Sequence, residues 1–462
     1  LTATGATGCD GDSASRNPIR HVGPFPHPWF GTSPAHGGIA ISPEVSAQGQ
    51  STLGAAGSDT APPKATFAAV FAVGEFRALW LAQVLSVAGD QLARVALTLL
   101  VYERTHSALL AAVTFAASVV PAFIGGITLS GLADRVPRRR VMIACDLTRV
   151  VLVAVMAISG IPTAVLVLLL FLVTLIGAPF LSARAALVPD LLTGDLYVLG
   201  IAVTLTTLQF AQVLGFAAGG AVVAFFGVRV SLLIDAATFA LSALITFVWV
   251  RSWPAVQAVA DREVPAEPET GGGLLAGLRL VFTSPALRIP MLLGWLAAFY
   301  NIPEGVSAPL AAALGGGAVA VGFILAAPAL GATVGAITFS RFVAPARRVR
   351  WMSPLAVAAC AVLILFAIRP PLPIALMVLA VSGLFDCYQL AANASFVAAT
   401  PARQRSQAFG IAQGGMSLGQ GVAMVAAGAA AEHFAPYFVI AASGVAGVVA
   451  AIAIAFGRPR AR

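Results

Sequence analysis

Twelve apolar runs, each about 20 residues long and so able to cross a bilayer as a helix, constrain this chain more than any other feature. They lie at 78–102, 108–132, 141–160, 162–183, 198–226 and 228–250, then at 286–312, 318–340, 350–369, 372–397, 406–430 and 435–457. A polar stretch, 251–284, carries Asp261, Glu263, Glu267 and Glu269 and divides the runs six and six. The sequence therefore predicts an all-α membrane protein with twelve transmembrane helices in two pseudo-symmetric six-helix bundles. The expected organisation is a disordered tail (1–65), a first bundle (66–250), a cytoplasmic linker (251–284), a second bundle (285–457) and a basic tail (458–462).

Composition agrees. The chain is 59% hydrophobic and only 10% charged, with a mean hydropathy of +0.92, too little polar surface to cover a soluble globule of this size. The net charge of +8 does not form a basic stripe, so no nucleic-acid partner is expected. Instead the arginines alternate with the runs. With a cytoplasmic N-terminus, eighteen fall in inner loops and the C-terminal tail, against Arg104, Arg229 and Arg369 outside. This bias places both termini in the cytoplasm and the protein in the cell membrane. Residues 1–65 lack periodicity and show no basic start leading into an apolar core, so no signal peptide is expected there. Leu1 in place of methionine points to a fragment or a misassigned start.

Several function classes are excluded by what the motifs require. Lys64 is the only lysine, so the chain has no phosphate-binding GxxxxGK[ST] loop. There is no HExxH, and His106 and His433 fall in outer loops. Cys9, Cys145, Cys360 and Cys387 are too scattered for a metal site. Neither an enzyme nor a cofactor is expected, and a membrane-embedded enzyme or receptor is the alternative from another class. The halves echo each other: Pro121 and Pro328 occupy matching points of the second and eighth runs, Arg140 falls on Arg347, and "GIA" opens both the fifth and the eleventh runs. Duplicated halves are a transporter architecture, with the substrate path between them.

Two motifs carry a family resemblance. "GLADRVPRRR" (131–140) resembles the loop between the second and third spans of the major facilitator superfamily, with Gly131, Asp134, Arg135, Arg138 and Arg139 matching and Pro137 in place of the usual glycine. The resemblance implies that Asp134 and Arg135 make an inter-half contact that gates the cytoplasmic side. The second copy, "TFSRFVAPARRVR", keeps the basic residues without the Asp. "VLGFAAGGAVV" (213–223) is similar to the fifth-span signature of drug:proton antiporters. Gly215, Gly219 and Gly220 match, with Phe216 where proline is usual. The wider wording of 75–457 resembles the bacterial subfamily that contains macrolide-efflux and siderophore-export proteins. It implies proton-coupled efflux of small hydrophobic or amphipathic compounds by a monomer; uptake of a small metabolite is the alternative within transport.

Charges inside spans are costly, about 2.5–3.5 kcal/mol each at the bilayer centre on an insertion scale, and each calls for a partner or a role. Asp146 and Arg149, at i,i+3, are expected to pair and brace the gate. Asp90 and Arg94, at i,i+4, form either an internal ion pair or a coupling site. Asp235 is expected near the outer end of its span, partly hydrated. Asp386, Gln389 and Asn393 share one helical face, which predicts a water-lined cavity. Glu304, with Phe299 and Tyr300 one turn away, is placed to meet a cationic substrate. Asp386 ranks first as proton carrier, Asp90 second and Glu304 third.

Overall fold

The computed structural model describes residues 66–129, 136–251, 274–401 and 404–456, and every predicted run falls on helix within them. The first six runs correspond to α2 (Gly74–Thr105), α3 and α4 (Ala108–Ala116, Val120–Thr128), α5 (Arg138–Met156), α6 (Thr163–Leu191) and the two arms of α7 (Gly194–Trp249), with α1 (Phe67–Ala72) ahead of them. A short helix, α8 (Leu274–Thr283), precedes a seventh run broken into α9 to α12 (Pro285–Trp295, Ala297–Tyr300, Ile302–Gly305 and Ser307–Ala313). Then come α13 (Ala318–Phe342), α14 (Pro345–Ala361) ending in a 3-10 turn (Val362–Ile368), α15 and α16 (Leu372–Phe385, Tyr388–Ala399), α17 (Arg405–Ala431) and α18 (Pro436–Phe456). There is no strand among the described residues. Among the described residues, eight helices suffice by length and composition to cross a membrane, one of them the double-length α7. Large apolar side chains such as Phe225, Phe342 and Val449 stand exposed along the outside, a surface suited to lipid rather than water.

Helix α7 shows how sequence sets topology. Its 56 residues would run about 84 Å if straight, far beyond a hydrocarbon core of about 30 Å. At Gly227 the backbone takes φ 80° and ψ 169°, open only to glycine, and the chain reverses. Gly215 on the first arm lies against Ala88 and Gln91 of α2, while Asp235 and Thr238 on the second arm lie against Gly89. Both arms thus flank the same turn of α2. We expect Gly227→Ala to destabilise the protein by about 1–3 kcal/mol, the cost of holding a side chain in such a region. A thermal melt of the purified protein that does not move would refute the hinge role.

Two segments differ from expectation: the second run is interrupted between Ala116 and Val120, and the tenth is a broken helix. The seventh is broken where its prolines lead one to expect it. In the seventh, Pro303 and Pro309 supply no backbone donor and disfavour continuous helix. The tenth, expected as one helix, breaks at Asp386–Cys387. The linker ends in helix α8, whose Val281 is buried against the apolar cluster of Leu287, Met291 and Ile411. The tail 1–65, the rest of the linker (252–273) and 458–462 lie outside the described residues, as do Gly131, Asp134 and Arg135.

Candidate functional site

The broken seventh and tenth runs build a polar centre in the C-terminal half. Beside the break after Trp295, the carbonyls of Leu293 and Gly294 accept from the Tyr388 hydroxyl at 2.8 Å and from Gln389 Nε2 at 3.1 Å. Gln389 Nε2 also donates to the Tyr300 hydroxyl at 2.8 Å, and Tyr300 donates in turn to Asp386 Oδ1. Tyr300 is buried, while Asp386 is half-buried and open to two cavities. The larger, about 360 Å³, lies between α9–α10, α15–α16 and α17. Trp295, Asn301, Gln389, Asn393, Gln413 and Gln420 line it together with Asp386, and Met291, Phe396, Phe409 and Met416 supply apolar wall. The smaller, about 180 Å³, spans the two halves, with Gln209 and Gln212 of α7 facing Asn301, Glu304 and Asp386. Tyr300, Asn301 and Asp386 belong to both walls. This is space for an organic guest with two carboxylates, several carboxamides and aromatic surface around it.

The expected common face of Asp386, Gln389 and Asn393 does line one cavity, even though the helix breaks beneath it. The aromatic partner is reassigned. Tyr300 serves Asp386 rather than Glu304, and the Phe299 Cβ packs near Gly447 of α18. Tyr300 and Glu304 still line the smaller cavity together.

The N-terminal half holds the other charges. Asp146 is fully buried, accepts from Ser242 Oγ at 2.6 Å and lies 3.8 Å from Arg149. Arg149 reaches Ser86 Oγ at 3.3 Å and stacks between the rings of Phe180 and Phe239, 5.5 and 4.9 Å from their centroids. No Asp90–Arg94 ion pair forms among the described residues. Arg94 donates instead to Gln91 Oε1 at 3.2 Å and to the Ser118 carbonyl at 3.1 Å. Asp235, expected to be partly hydrated, is 1% exposed, because the reversal at Gly227 lays it against Gly89. Arg138 pairs with Asp190 and bonds the Ala186 carbonyl of α6, and Arg139 bonds the Phe247 carbonyl and covers its ring. Both stay within their own half in this conformation.

The halves meet along two seams. On the first, α7 crosses α13 at Gly220 and Gly322: a Cβ on either would lie 2.7 Å from a backbone carbonyl of the other helix. Gly215 and Gly219 instead face α2 within their own half. On the second, α17 runs along α3 and α4, with Gly428 against Ala112, Gly421 against Val120 and Gly414 against Phe123. Beyond that point Gly126 and Gly410 have open space. At the opposite end, Glu432 accepts from Ser107 Oγ at 2.6 Å and Leu109 N at 2.8 Å, closing the N-terminus of α3 from the other half. The halves are therefore joined at the end predicted to be outer and part toward the inner end of this seam.

The Leu109 N–H, then the Ser107 hydroxyl, hold Glu432 below its ordinary value of 4.5. A depressed carboxyl contributes its contact above the ordinary range and loses it as pH falls through the depressed value. We expect acidification below about 4.5 to lower the outer-closed fraction, read by spin-label distances across that face. Glu432→Ala should show the lowered fraction at neutral pH with no further response to acid. Equal distances in the two proteins at every pH would refute the latch.

Sequence reasoning missed Asn301, Gln413 and Gln420 in the cavity wall, Gly322 at the seam, and Glu432 at the latch. Gly322 had a signal in the small residues of "AVAVGF"; Glu432 had none beyond a charge at a run's end.

Residues 65–460 match the family described as transmembrane secretion effector. The enterobactin exporter EntS of Shigella boydii serotype 4 (strain Sb227) is 27% identical over 276 residues, 59% of this chain and 64% of that protein. The match thus spans less than two thirds of the exporter's length. Among solved structures, the POT family transporter PepTSo aligns with a TM-score of 0.62 at 13% identity, covering 83% of this chain and 97% of that one. The nucleoside transporter NupG aligns at 0.60 and 16% identity, covering 83% and 100%. A bacterial homolog of the human lysosomal transporter Spinster, inward-facing and occupied, aligns at 0.61 and 16%, covering 82% and 94%. At these identities the likeness is one of fold.

Proposed function

Since this chain belongs to the transmembrane secretion effector family, within the major facilitator superfamily, we propose that it exports small amphipathic compounds in exchange for protons by alternating access. It is a membrane transporter and not an enzyme. The observation that carries the finer reading is Asp386, a carboxylate with a hydroxyl donor, standing in the walls of two cavities. There a proton and a guest compete for one group. In this reading the two halves, 66–250 and 285–457, rock about the seams, the linker 251–284 lies in the cytoplasm with both termini, and one monomer suffices. The arginine bias supports that orientation. Under it the present conformation is open to the cytoplasm. Asp134, Arg135, Arg138 and Arg139 would then engage the other half only when the inner side closes.

The test is transport into inside-out vesicles by a compound panel that includes lipophilic cations and enterobactin, the compound named for the similar exporter. Accumulation driven by an acidic vesicle interior is the expected result. Panel-wide indifference to the pH gradient would remove proton coupling, and movement only in the opposite direction would favour uptake.

A further inference from the structure

A third cavity, about 140 Å³, lies wholly within the N-terminal half, and Asp90, Arg94, Arg149 and Asp235 face it. Its bonding is incomplete. Asp235 Oδ2 has no donor, and Oδ1 has only Thr238 Oγ1 at 3.5 Å, a hydroxyl that also bonds the Asp235 carbonyl at 2.7 Å. Arg149 Nε and Asp146 Oδ1 are also buried without a hydrogen-bond partner. Asp235 is 1% and Arg149 4% exposed, so bulk water does not supply the missing bonds.

The charges do not cancel. Asp90, Asp146 and Asp235 are three carboxylates; Arg94 and Arg149 are two cations. Arg94 is turned to Gln91 and Ser118, and lies within electrostatic reach of Glu304 in the other half. The remaining walls add no charge: the break between α3 and α4 presents Ser118, α4 presents Ala122, and α6 presents Thr174, Gly177, Ala178 and Leu181. Cys145, beside Arg149 on α5, is a thiol. One uncompensated negative charge in a small buried cavity is costly, and a single proton removes it while providing the donor that Asp235 lacks.

We propose that this cavity is a proton-binding site in which Asp90 and Asp235 hold one proton between them beside the Arg149 guanidinium. Its use in transport rests on the proton-coupled reading above; the protonation itself does not. Asp90 sits on α2 and Asp235 on the second arm of α7, so the proton joins two helices of the bundle. Arg94 gives this site a charged link to Glu304 and the cavity between the halves.

The test is infrared difference spectroscopy of the full chain in lipid nanodiscs during a pH titration. The wild type should show the C=O stretch of a buried protonated carboxyl that disappears on alkalinisation. Because the proton is shared, Asp90→Asn and Asp235→Asn should each lose that band, while Glu75→Gln, at a helix end, keeps it. Should Asp235→Asn fail to fold, Asp235→Glu should shift the band's frequency. No titrating band in the wild type, or a band untouched by the Asp90 and Asp235 substitutions, overturns the proposal. Transport indifferent to pH with the band intact would end the coupling reading and leave the site standing.

Discussion

Asp386→Asn is expected to abolish gradient-driven accumulation while sparing exchange of substrate across the membrane. The reason lies in what the substitution removes and what it leaves. Asparagine keeps the size of the side chain and an oxygen that can accept from Tyr300, so the wall shared by the two cavities survives. It cannot gain or lose a proton, so loading and release of a guest no longer depend on the proton gradient. Tyr300→Phe makes the complementary change. It keeps the carboxylate and removes one hydrogen bond to it, about 1.5–3 kcal/mol. We expect exchange and accumulation to fall together, by about tenfold to a hundredfold. Both rates are measured in proteoliposomes with an imposed pH gradient. Intact accumulation in Asp386→Asn would take coupling away from this carboxylate and move it to the N-terminal cavity of Asp90 and Asp235.

The helices were legible in the sequence because each apolar run encodes its own span, and the six-and-six division because charge interrupts the pattern only once at length. The breaks were partly legible. Prolines marked the seventh run, but nothing in "LFDCYQL" marked the break at Asp386–Cys387. The polar face of Asp386, Gln389 and Asn393 could be read from i,i+3,i+7 spacing, which is local. Partners on other helices could not. Asp235 looked peripheral because its distance from the end of its run was counted without the reversal that presses it onto Gly89. Asp90 and Arg94 looked paired because spacing allows it, yet the arginine reaches Gln91 and a carbonyl on the neighbouring helix. Tyr300 and Glu304 were joined by a helical turn that the chain does not make. Long-range choices of this kind depend on how helices rotate against each other, which local spacing leaves open.

The crossing of Gly220 and Gly322 carries the other large effect. Both glycines lie where α7 and α13 touch backbone to backbone, a packing that small residues allow in lipid. A side chain at Gly322 would meet the Phe216 carbonyl at 2.7 Å and the Gly220 Cα at 2.8 Å. These are backbone atoms of another helix, so no rotamer change makes room. Overpacking of this sort costs about 1–3 kcal/mol. That penalty falls only on the conformation in which the helices touch here, and so shifts the equilibrium away from it by about fivefold to more than a hundredfold. Gly322→Leu should therefore insert normally, hold the outer side open and reduce transport in the same proportion. The matched control is Gly126→Leu, at a position with open space around it. A disulfide between cysteines introduced at Ser107 and Glu432, which face each other across the second seam, reports closure directly. It should form readily in an otherwise wild-type background lacking the native cysteines, and poorly once Gly322→Leu is added. Equal crosslinking with and without Gly322→Leu would mean that this contact does not limit closure, and would leave the seam of α3, α4 and α17 to set it alone.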